Sequence, residues 1–157
     1  GLPVSRSFGM RRARGFTLVE ALVALVVLSG GMLGIAGLYL ESLRSGRVTI
    51  LRSQAVTLAA DLADRIRANR AGAGGYEHAV DDEPATVTGC ADGTGCTPAQ
   101  MAEHDKAQWV AAIAASLPGG AATVDVDTTT APTTYTITIT WVEPGIGDQD
   151  YVLSIQT

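Results

Sequence analysis

The chain has 157 residues, 46% of them hydrophobic and only 5% aromatic, with a formal net charge of −5. Setting aside the four arginines among the first fifteen residues (Arg6, Arg11, Arg12 and Arg14) leaves 7 basic against 16 acidic side chains, a balance of −9. A nucleic-acid surface needs clustered cations, so no such partner is expected, and the length allows one modest domain beside an oily N-terminal run.

That run, from Phe16 to Leu40, holds 25 residues with a single formal charge, Glu20. As a helix rising about 1.5 Å per residue it would span roughly 37 Å, against a hydrocarbon core about 30 Å thick. The arginines ahead of it favour the cytoplasm, which directs the rest of the chain outward. The run is longer than the core of a secretory signal peptide, and no small-residue cleavage site closely follows it. A membrane anchor is therefore expected. A plain anchor leaves Glu20 unexplained, because a carboxylate in hydrocarbon costs about 3 kcal/mol even on lenient scales and marks function by default. Gly30, Gly31, Gly34 and Gly37 form a small-residue face, read as close helix packing rather than as points of local melting.

The segment RRARGFTLVEALVALVVL, residues 11–28, resembles the class III leader junction of type IV pilins and pseudopilins: basic residues, a glycine, an aromatic residue, then a glutamate four residues on. The resemblance implies a leader over residues 1–15, a cut by prepilin peptidase between Gly15 and Phe16, and methylation of the new amino group at Phe16. A start at Met10 would give the short leader MRRARG. Trimming leaves one ammonium at Phe16 and one carboxylate at Glu20. A lone charge in lipid is costly, whereas opposite charges attract strongly at low dielectric. Glu20 of one subunit is thus expected to pair with the Phe16 amino group of its neighbour.

The helical pattern continues over residues 41–70. Leu51, Ala55, Leu58, Leu62 and Ile66 recur at spacings of four, three, four and four, with Arg52, Asp61, Asp64, Arg65 and Arg67 off that stripe. The glycines of NRAGAGG, Asn69 to Gly75, are expected to end it. Residues 71–157 then read as a globular head. Its first part, residues 71–97, is loop-rich and holds Cys90 and Cys96 around ADGTG, most simply a disulfide in an oxidising compartment. The rival, a metal site adding His78 and His104, matches no standard zinc spacing, and no metal is expected.

A helix is predicted over residues 98–117: Thr97 can cap it, Pro98 suits its first turn, and Gln100 completes a capping-box spacing. Met101, Asp105, Trp109, Ala112, Ile113 and Leu117 make no clean stripe, but Trp109 and Ile113 share a face, and Trp109 reads as a core anchor. Strands follow at about 122–127, 134–142 and 151–156. Tyr135, Ile137, Ile139 and Trp141 alternate with threonines in the second, and EPGIGDQD, Glu143 to Asp150, is expected to join the last two strands as a hairpin with an extended loop. The threonines read as ordinary strand residues rather than glycan sites, and Asp148 with Asp150 offers too few ligands for calcium.

TPAQMA…D…QW…LPGG and AADLADRIRANR are similar to segments of the PilV-type minor pilins, or type IV pilus modification proteins. This resemblance implies an α+β, pilin-like fold: a long N-terminal helix, membrane-spanning in its first half, packed on a small antiparallel sheet with a second helix in the head. It also implies a minor pilin that acts with other minor pilins and the major pilin at an inner-membrane assembly platform. The N-terminus would be cytoplasmic, the head periplasmic, and the final location the pilus. No phosphate loop, G-x-S-x-G elbow or H-E-x-x-H occurs, so neither catalysis nor a cofactor is expected. A minor pseudopilin of a type II secretion system shares the N-terminal logic, and co-purification separates the two. A membrane-anchored periplasmic enzyme lacks a visible constellation, and the acidic head counts against a DNA-binding pilin.

Overall fold

The computed structural model describes residues 15–157; the readings made on Arg6, Met10, Arg11, Arg12 and Arg14 lie outside the described residues. Two compact units follow one another along the chain, the first ending at Arg44 and the second running Ser45–Thr157. Helix α1, Leu18–Ala68, contributes to both. Within the first unit every described side chain is exposed, and α1 is long and apolar enough to cross a membrane. An apolar surface left bare in this way suits lipid rather than water.

In the second unit α1 is followed by a 3₁₀ turn at Arg70–Tyr76, a four-residue helix α2 at Thr88–Ala91, and helix α3 at Pro98–Ser116. Three antiparallel strands complete it in the order β1-β2-β3: β1 at Ala121–Asp127, β2 at Thr134–Glu143 and β3 at Gly147–Gln156. The fold is α+β, a long helix on a small three-stranded sheet with further helices.

Register follows the alternation of the strands. Val124, Ile137 and Leu153 align across the sheet, as do Ala122, Ile139 and Tyr151, on the face turned to the core. Thr123, Thr138 and Val152 align on the opposite face. The helical side of the core is the stripe Leu51, Ala55, Ala59, Leu62, Ala63 and Ile66. Its alanines leave volume that the large buried side chains of the same cluster, Trp109, Tyr76 and Tyr135, fill.

Two expectations are corrected here. The segment Glu143–Asp150 is no extended loop: β3 begins at Gly147 rather than near residue 151, and the ladder runs to the pair Glu143–Gly147. Gly145 and Gly147, at φ +85° and +109°, supply the left-handed backbone that closes the turn, and Ile146 donates its N–H to Glu143 O at 3.0 Å. Apart from His104, the buried residues of helix α3 do form one face, Ala102, Asp105, Lys106, Trp109 and Ile113. It was hidden because two of its members are charged.

Candidate functional site

Gly15, Phe16 and Thr17 are exposed and precede the helix. Thr17 starts it: its Oγ1 accepts the Glu20 N–H at 3.3 Å and its carbonyl accepts the Ala21 N–H at 3.2 Å. Thr17 thus acts as an N-cap, and Glu20 stands in the first turn, where free N–H groups favour a negative charge. The Thr-x-x-Glu spacing is the signal of this cap in the sequence. The Gly15–Phe16 bond lies just outside the helix, in backbone free of helical hydrogen bonds. The Glu20 side chain is exposed and makes no ion pair among the described residues.

Cys90 and Cys96 form a disulfide with Cα atoms 5.2 Å apart. The enclosed loop turns through Gly93 and Gly95, at φ +76° and +106°. The Asp92 carboxylate accepts both the Thr94 hydroxyl, at 2.7 Å, and the Thr94 N–H, at 3.0 Å. These bonds, the hydroxyl's first, hold Asp92 below its ordinary pKa.

Neither histidine lies in a metal cluster; among the described residues no three His, Cys, Asp or Glu are grouped as ligands. His104 Nδ1 accepts the Val87 N–H at 3.0 Å, and His78 packs edge-on against Trp109 with ring centroids 6.5 Å apart. Trp109 is fully buried and donates its Nε1–H to Leu58 O at 2.9 Å, fastening α3 to α1.

No local pattern in the sequence marks the polar cluster that joins three elements of the second unit. Asp105, on the buried face of α3, accepts Arg65 Nη1 from α1 at 2.9 Å on one oxygen and the Tyr76 hydroxyl at 2.7 Å on the other. Arg65 also binds Asp61, at 3.0 Å, and Gln108, at 3.0 Å. Burial opposes the charge on Arg65, but the two carboxylates outweigh it and raise its pKa. Burial, then the bond to Asp105, raises that of Tyr76. One residue on, Lys106 reaches Glu103 at 3.0 Å and the Glu77 carbonyl at 3.1 Å. The Lys106 bond is the largest cause holding Glu103 below its ordinary pKa. Charged residues can occupy a core face because each finds partners there.

Comparison with protein families bears on both units. The model for the prokaryotic N-terminal methylation motif matches residues 10–36, which include Gly15, Phe16 and Glu20. The model described as type IV pilin Tt1218 matches residues 37–107, which include Arg65, Tyr76, the disulfide and Asp105 but not the sheet. No curated protein and no solved structure gives a significant match. Set end to end, the two family matches run from residue 10 to residue 107 and support a type IV pilin.

Proposed function

We propose that the chain is a minor pilin, cut by prepilin peptidase between Gly15 and Phe16 and methylated at Phe16. It then acts with other minor pilins at the inner-membrane platform to prime or modulate assembly of the major pilin into a pilus. The observation that carries this reading is the methylation-motif match over Gly15, Phe16 and Glu20, which runs on into an exposed apolar helix. Removal of the leader converts Phe16 into a cation four residues from Glu20. In hydrocarbon each charge alone is unfavourable, and a side-by-side pair between neighbouring subunits relieves both. The minor role rests on the similarity of the segments around residues 58–70 and 97–120 to PilV-type minor pilins. The role is structural rather than catalytic.

Mass spectrometry of the N-terminus of protein purified from its native membrane tests the first step. A methylated chain beginning at Phe16 is expected; a chain assembled into fibres with Arg14 and Gly15 still attached overturns the reading. Co-purification with pilus components rather than secretion components tests the second.

A further inference from the structure

Residues 77–87 lead from the 3₁₀ turn to α2, touching at His78 the edge of β1 that β2 leaves open and bonding through Ala85 and Val87 to α3. They join it through an isolated bridge: His78 donates its N–H to Val124 O at 3.0 Å, and Val124 donates back to His78 O at 2.9 Å. The His78 side chain is 2% exposed, and its Nδ1 has no hydrogen-bond partner. An unpartnered buried polar atom is uncommon and calls for an explanation. A neutral imidazole tolerates the site. An imidazolium does not, since both nitrogens must then donate and a net charge sits out of water.

The charged groups around the ring come from two elements. On the segment itself Asp82 Oδ2 lies 3.7 Å from His78 Nδ1 and accepts the Ala79 N–H at 2.7 Å. On α3, Lys106 opposes a positive ring and Glu103 favours one. From β1 no charge faces it, because Asp125 and Asp127 alternate onto the other side of the sheet from Val124.

We propose that residues 77–82 form a proton-operated latch: neutral His78 closes the edge of β1, and protonation drives the ring toward Asp82 and solvent and opens the bridge to Val124. Burial is the leading influence on His78 and lowers its pKa, ahead of the opposing effect of Asp82. A folded-state value below the free value of about 6.5 stabilises the closed form fully above that pH, and the contribution is lost as the pH falls below it.

Hydrogen exchange of the full chain in detergent micelles, from about pH 7.5 to about pH 4.5 and corrected for intrinsic amide chemistry, tests the latch. Peptides covering 77–82 and 121–127 are expected to lose protection below about pH 6.5, by at most about tenfold per pH unit, the limit for one proton. Peptides covering the β2–β3 pairing keep theirs. His78→Gln removes the step, and Asp82→Asn, whose amide oxygen still accepts the Ala79 N–H, moves it to lower pH. Flat protection in the wild type, loss in β2–β3 at the same pH, a step that persists in His78→Gln, or one that stays put in Asp82→Asn overturns the proposal.

Discussion

Replacing Asp105 by alanine tests whether the buried cluster fastens α1, the 3₁₀ turn and α3 together. The Tyr76 hydroxyl loses its 2.7 Å acceptor, with the Arg65 carbonyl 3.4 Å away as a poorer substitute. Leaving a buried donor unsatisfied costs about 1–3 kcal/mol. Arg65 loses one carboxylate but keeps Asp61 and Gln108, and its side chain is 30% exposed, so solvent softens that loss. A partly exposed pair contributes about 0.5–1 kcal/mol, which brings the expected total to about 1.5–4 kcal/mol. For a domain of this size that lowers Tm by roughly 10 °C. Near-UV circular dichroism of the full chain in detergent follows the melt through the buried tryptophans and tyrosines. Tyr76→Phe alone should cost about 1 kcal/mol, and the double variant should lose less than the sum of the two. An Asp105→Ala melt within about 2 °C of wild type, or single effects that simply add, would refute the fastening role.

Gly15→Ala is expected to block removal of the leader; an intact mass that still shifts to the mature value counts against the assigned junction. Glu20→Ala should be processed normally yet fail to join other pilins, because the Phe16 ammonium then lacks its counter-charge. Normal surface piliation in a strain without the native copy would contradict that. Gly72→Ala should destabilise the second unit by about 2 kcal/mol, an overpacking cost. The new Cβ would lie 2.5 Å from Pro98 O and 2.6 Å from Asn69 Nδ2, two groups that hydrogen-bond each other at 2.8 Å. Gly74→Ala meets nothing within 4 Å and serves as the control. A urea midpoint for Gly72→Ala equal to that of Gly74→Ala would show that the turn can yield.

Local regularity made much of the fold class legible. The apolar run from Phe16, interrupted only by the charge of Glu20, has the length of a membrane helix, while the stripe from Leu51 to Ile66 and the alternation Tyr135, Ile137, Ile139, Trp141 each repeat at the period of one element. All of the strand residues in that alternation are buried. The capping box of α3 was equally plain, because Thr97 and Gln100 satisfy each other within one turn. The start of β3 was missed because Gly, Asp and Gln read as loop, while backbone pairing with β2 holds them in a strand. In α3 the charges of Asp105 and Lys106 broke the apolar period.

The sequence by itself determined what depends on neighbours a few residues apart: the lipid-length helix, the methylation motif with Glu20 four residues beyond Phe16, the cysteine loop, and the strands' two faces. Only the tertiary structure decided which charges could be buried. Arg65 and Asp105 are 40 residues apart, and Tyr76 is 29 from Asp105. His78 meets Val124 across the open sheet edge. A buried polar group is tolerated only with a partner, and folding brings distant partners together where no local period in the chain records them.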